Sequence, residues 1–170
     1  MAESSPDVIK RYLDDAVAAE KSSETQLHRS EKEANDESTK ALFHELSLEA
    51  KRQYERLAAR LHVLGGSPSG TKSFFAHTAF DLKAVEAGHE IQERAAHNLV
   101  LAYALASNKV AIYESLATTA DAAGDSDTSD LARDIQAEEQ ASAQKIWSLL
   151  PAVALEITAA YRAATARERS

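Results

Sequence analysis

The sequence predicts an all-α protein: an antiparallel four-helix bundle with a short crossover helix and an extra C-terminal helix. Three observations carry that expectation. Turn punctuation is scarce, with 5 glycines and 3 prolines in 170 residues, while alanine, glutamate, lysine and leucine, all good helix formers, are abundant. Apolar residues recur three and four apart over long stretches. The breaks between those stretches are unequal: two are short turns, and the middle one is roughly 25 residues long.

The first helix is expected over 6–34. Ser5 suits an N-cap, Pro6 the first turn, and Asp7 the positive end of the helix dipole. Its stripe is Ile9, Leu13, Ala16, Glu20, Ser23 and Leu27. The second helix begins after the Asn35–Asp36 pair, carries Leu42, Leu46, Glu49, Gln53, Leu57, Leu61 and Leu64 on one face, and ends at Gly65–Gly66. A crossover helix near 74–88 follows, then a third long helix over 91–123. The stripe of that helix includes Leu99, Ala102, Leu105, Ala106, Lys109, Tyr113 and Leu116. After the turn "AAGDSDTSD", a fourth helix over 128–150 aligns Leu131, Ile135, Glu138, Ser142, Ile146 and Leu149. Pro151 is expected to kink or break the chain, leaving a separate helix over 152–168. Two hairpins joined by one long crossover make the ferritin-like arrangement. The whole chain, 1–170, reads as one domain with its core bundle over 6–150.

Composition excludes several function classes. The net charge of −8 argues against a nucleic-acid partner, which needs a basic footprint. With no cysteine there is no disulfide, thiolate nucleophile or zinc–thiolate site. No apolar run approaches the length of a membrane span, the N-terminus lacks a secretory pattern, and the cytoplasm is the expected location. Neither a Gly-x-Ser-x-Gly elbow nor a phosphate-binding glycine loop is present.

Three glutamates, Glu20, Glu49 and Glu138, fall on otherwise apolar stripes of different helices. Glutamate is almost never fully buried without a partner, and carboxylates converging in a bundle core are how ferritin-like proteins hold two metal ions. The usual Glu-x-x-His pairs are missing from the second and fourth helices. The one formal match, Glu86 to His89, lies in the crossover. The third helix offers an opposite charge instead. Lys109 is the single formal charge between Ala95 and Tyr113, and an ammonium on an apolar stripe needs a negative partner. It either points inward as a structural ion pair with Glu20, Glu49 and Glu138, which is the expectation, or snorkels to the surface along its aliphatic stem.

The stretches "DDAVAAEKSSETQL", "ALFHELSLEAKRQYERLAARLHVLGGSPSGTK" and "NKVAIYESLATTADAAGDSDTSDLARDIQAEEQASAQKIWSL" resemble the YciE/YciF group of ferritin-like bacterial proteins, over about residues 8–149. The resemblance implies a stress-associated protein and a homodimer. The group's patterns carry an Ala-Glu on the first helix, a His-x-x-Glu-x-x-x-Gln run on the second and a Glu-Glu on the fourth, and Ala19–Glu20, Glu49, Gln53, Glu138 and Glu139 match them. The same patterns place a histidine where this chain has Leu46, a glutamate where it has Asp134, and a Glu-His-x-x-Glu-like cluster where it reads Ala106, Ser107, Asn108 and Lys109. Lys109 therefore stands where the group has a metal-facing carboxylate.

Two functions compete on this reading. One is a metal-poor, non-enzymatic ferritin-like protein with a degenerate carboxylate site, holding no cofactor or only weakly bound iron or manganese on Glu20, Glu49 and Glu138. The other is a carboxylate-bridged di-metal oxidase, a ferroxidase or peroxide-consuming enzyme. That site would use Glu20, Glu49, Glu138 and Glu139 with His44 as nitrogen donor, and Tyr54, Tyr103 or Tyr113 as redox-active neighbours. A small-ligand pocket beside the crossover, lined by Phe74, Phe75, His77 and Phe80, is a third and weaker idea beside plain packing. No membrane partner is expected.

Overall fold

The computed structural model describes residues 5–69 and 93–168. Within them the chain forms four helices: α1 (Ser5–Glu33), α2 (Glu37–Val63), α3 (Arg94–Ala122) and α4 (Ser126–Glu168). The expected crossover helix near 74–88, with Phe74, Phe75, His77, Phe80, Glu86 and His89, lies outside the described residues.

Local chemistry sets the helix ends. Asp36 adopts an extended backbone and accepts from the Thr39 amide at 2.8 Å, which caps α2. At the other end Gly65 takes a φ of +76°, the left-handed conformation in which glycine alone is unstrained. Gly66 serves differently: a Cβ there would meet the Leu61 side chain at 2.5 Å. Between α3 and α4, Gly124 turns the chain with a φ of +76°, and Asp125 accepts from the Thr128 amide at 3.1 Å. Arg60 of α2 reaches across to the same turn, donating to Asp125 at 2.5 Å and Thr128 at 2.8 Å.

α1 packs against α2 and α3, and α4 against α3 and α2. Contacts along the helices fix their directions. Asn98 donates to Glu33 while Lys109 meets Glu20, so α1 and α3 run antiparallel. Arg60 meets Asp125 while Lys145 meets Glu45, so α2 and α4 do too. With both hairpins antiparallel as well, α2 and α3 are parallel. A chain leaving α2 must therefore return along the bundle, about 40 Å for a helix of 27 residues. That is why the middle connection is long.

One expectation is corrected. Pro151 does not end the fourth helix: α4 runs through it as a single helix of 43 residues, so the C-terminal helix is continuous with the bundle. Proline removes one backbone bond, to the Trp147 carbonyl, but Pro151 and Trp147 both lie on the exposed side, away from the packed interior. Beyond it Val153 is buried and Ile157 half-buried against the core, and this packing carries the helix on.

The apolar interior comes in two parts. One holds Leu13, Val17, Leu57, Leu61, Leu116 and Ile135. The other holds Leu27, Phe43, Leu46, Leu99, Ile146 and Val153. On every helix a polar stretch separates them: Glu20 and Ser23 on α1, Gln53 on α2, Lys109 on α3, and Glu139 and Ser142 on α4, all buried.

Candidate functional site

This polar layer is built by helical spacing. Glu20 follows Leu13 and Ala16 and precedes Leu27 on the buried face of α1; Lys109 occupies the same face as Ala106 and Tyr113 on α3; Glu139 lies between Ile135 and Ile146 on α4. Lys109 is 5% exposed, Glu139 3% and Glu20 0%. The Lys109 Nζ donates to Glu20 Oε2 at 2.9 Å and to Glu139 Oε1 at 2.7 Å. The Tyr113 hydroxyl, one turn along α3, donates to the other oxygen of Glu20. The ammonium thus joins three helices at the centre of the bundle.

The electrostatics follow from one base shared by two acids. Burial alone would lower the Lys109 pKa, but the charges of Glu20 and Glu139 and their hydrogen bonds outweigh it and hold the ammonium above its ordinary value. Burial pushes the Glu139 carboxyl up to about 7; Lys109 opposes that shift and Glu20 adds to it. The second acid is where a net negative charge in the core would fall. Tyr113 is raised well above its ordinary value, first by burial and then by the Glu20 carboxylate it serves, so its proton stays in place to donate.

The expected site residues divide into three sets. Glu20 and Lys109 are brought together, as the sequence indicates. Glu49, half-buried on α2, accepts from Ser142 at 2.9 Å and takes no hydrogen bond from Lys109. Glu138, expected on the inward stripe, is corrected to its neighbour: Glu139 faces the core, while Glu138 turns toward α2 and accepts from Gln53 at 3.0 Å and Arg56 at 2.6 Å. His44 is exposed and stands 3.1 Å from Glu31 on α1, outside the buried cluster. Of the tyrosines, only Tyr113 joins the cluster; Tyr54 lies under Lys21, and Tyr103 sits beside Trp147. The stripe reading put Glu138 on the inward face, and Glu139 was named only through the resemblance and the di-metal alternative; the Tyr113–Glu20 bond is the part that sequence reasoning did not place.

Beside the cluster is a cavity of about 20 Å³, bounded by Ser23, Glu49, Lys109, Glu139 and Ser142 on its polar side. That is room for one water. Among the described residues no three His, Asp or Glu side chains are placed to hold a metal ion. The donor set does not fit a carboxylate-bridged pair of ions: α3 presents an ammonium where such a site needs an anionic ligand, and that ammonium already takes an oxygen from Glu20 and from Glu139.

No described helix is long and apolar enough to cross a membrane. A family model described as "Domain of unknown function (DUF892)" matches residues 6–159. No curated protein matches by sequence. Among solved structures, a protein from Xanthomonas campestris pv. campestris superimposes with a TM-score of 0.79 at 19% identity, covering 93% of this chain and 98% of that one. The Escherichia coli stress protein YciF gives 0.77 at 22% identity, with 90% and 98% covered. Dps from Staphylococcus aureus gives 0.65 at 22% identity, with 84% and 94% covered. At these identities the likeness establishes the ferritin-like four-helix fold.

Proposed function

We propose that this chain, which belongs to the DUF892 family, is a ferritin-like stress-associated protein in which a lysine ammonium has taken the place of metal charge in the core. On this reading it is metal-poor and non-enzymatic. It acts through its surface as a cytoplasmic homodimer, and any iron or manganese in the bundle is weakly held. The observation that carries the reading is the Lys109 ammonium, buried and bonded to Glu20 and Glu139. A buried cation already neutralises the carboxylates that a ferritin-like bundle uses for metal. The neighbouring space admits one water, too little for two ions with an oxygen substrate. The stress association rests on the likeness to the E. coli stress protein.

Metal analysis tests this. Protein purified without chelator or added metal, then dialysed, should carry well under one iron or manganese per chain. About two per chain surviving dialysis would overturn the reading in favour of the di-metal oxidase. Light scattering tests the dimer; monomer alone at tens of micromolar, roughly the range in which weak dimers are seen, would remove it.

A further inference from the structure

The outer seam of the α3–α4 hairpin displays no formal charge over most of its length. Between Arg94 and Glu114, α3 carries one, Lys109, which is buried. Between Glu139 and Glu156, α4 carries one, Lys145, which turns away to Glu45 of α2 at 2.7 Å. The neutral stretch is about 25 Å long, in a chain of which 27% is charged. Trp147 stands on it, 62% exposed, with the Tyr103 ring tilted against it at a centroid separation of 5.4 Å. Val100, on the same side of α3, is exposed as well. Beside the two rings lies an open cleft of about 460 Å³, with Val110 and Ala143 half-buried at its base and Ser107, Gln140 and Gln144 exposed on its walls. The exposed side of α2 is the reverse, with Lys40, Glu45, Lys51, Arg52 and Glu55.

We propose that this seam is the face on which two copies of the chain meet, each placing its Trp147 in the cleft of the other. The inference rests on the homodimer reading above and assigns that dimer a surface. Charge selects the occupant. Two chains of net charge −8 repel, and contact costs least where neither displays charge and none must be stripped of water. Shape agrees. The knob, Trp147, and the hole beside it share one face, so a two-fold axis through the cleft lets each knob fill the other copy's hole. The amides of Gln140 and Gln144 and the Ser107 hydroxyl both donate and accept, so they can pair with their own counterparts across such an axis. Exposed aromatic side chains in a field depleted of charge are what the centre of an interface is made of. Two helices about 10 Å across give the neutral stretch an outline of roughly 500 Å². Side-chain relief raises that toward the 600 Å² or so per partner at which stable interfaces begin.

Sedimentation velocity on the full-length chain, from about 1 to about 100 μM, tests the surface. Trp147→Glu and Gln144→Glu each set two like charges across the two-fold and should weaken the dimer at least tenfold. Leu48→Glu, at an exposed leucine of α2, should leave it unchanged, and circular dichroism should show all three variants folded. Trp147 is the single tryptophan, so its emission should move to shorter wavelength as wild type dimerises. Raising salt from about 50 to about 500 mM should hold or tighten the dimer, because it screens the repulsion between the two chains. A wild-type dimer that Trp147→Glu and Gln144→Glu leave intact, or one that salt dissociates, overturns this surface and leaves the homodimer reading standing. Wild type found only as monomer removes both.

Discussion

Replacing Lys109 with methionine removes the ammonium and keeps most of the stem, so packing changes little while two buried acids lose their cation. Taking one partner from a buried ion pair costs about 3–5 kcal/mol. Glu20 is fully buried and Glu139 nearly so, which puts this pair in that class. The lower end applies, because the orphaned acids relieve the cost by binding protons, and Glu139 already titrates at about 7 with the lysine present. We expect Lys109→Met to cost about 3 kcal/mol at about pH 8 and much less at about pH 5. The sign follows from proton counts: the folded variant binds more protons than the unfolded chain over this range, so its stability falls as pH rises. In a domain of this size about 3 kcal/mol lowers the melting midpoint by roughly 6–12 °C. Urea denaturation followed by circular dichroism at the two pH values measures it. A cost within about 0.5 kcal/mol at both would mean a solvated lysine, and an equal larger cost at both would mean lost packing instead of lost charge.

Three further outcomes are expected. In wild type, Glu139 is raised from 4.5 to about 7, so it costs stability progressively as pH rises through that window, on the order of 3 kcal/mol at most. Glu139→Gln should flatten this slope in denaturation curves, and an unchanged slope refutes the assignment. Lys109→Glu places a carboxylate on all four helices, so excess manganese(II) or iron(II) should raise its melting midpoint by several degrees and leave that of wild type nearly unmoved; no shift in the variant would show that position 109 is not a metal position. Pro151→Ala restores one helical bond in α4 and should stabilise the protein by about 1–2 kcal/mol. A loss on chemical denaturation would contradict a helix continuous through that point.

The stripes of α1 and α3 were legible in the sequence: Ile9, Leu13, Ala16, Glu20, Ser23 and Leu27 are all buried, as are Ala106, Lys109, Tyr113 and Leu116. The fourth helix shows why the rest was not. Between Ile135 and Ser142 both Glu138 and Glu139 satisfy helical spacing. At about 100° per residue, Glu139 lies roughly 40° from Ile135 on one side and Glu138 roughly 60° on the other. Val153, in line with Ile135, would have favoured Glu139. It was lost to the pattern because Pro151 was expected to end the helix. Glu138 then meets Arg56 and Gln53, a partnership 82 and 85 residues distant in sequence that no local spacing reveals. His44 met Glu31 for the same reason: the hairpin, not the periodicity of either helix, brought them together.

Many positions lining the two apolar parts are alanines: Ala16, Ala50, Ala102, Ala106, Ala117 and Ala132. Small, similar side chains discriminate poorly between one longitudinal alignment of neighbouring helices and the next. The Lys109 layer does discriminate. Sliding α3 by one turn, about 5.4 Å, carries the ammonium among alkyl groups such as Leu57 and Ile135 or Leu27 and Leu46. It also leaves two buried carboxyls facing Tyr113 or Ala106. Either slip strands charge in hydrocarbon, at several kcal/mol per ion. The cluster adds little to the depth of the native state against a well-packed apolar alternative. Its weight falls on the gap to misaligned bundles, as a single polar residue in a coiled-coil seam fixes which turn meets which.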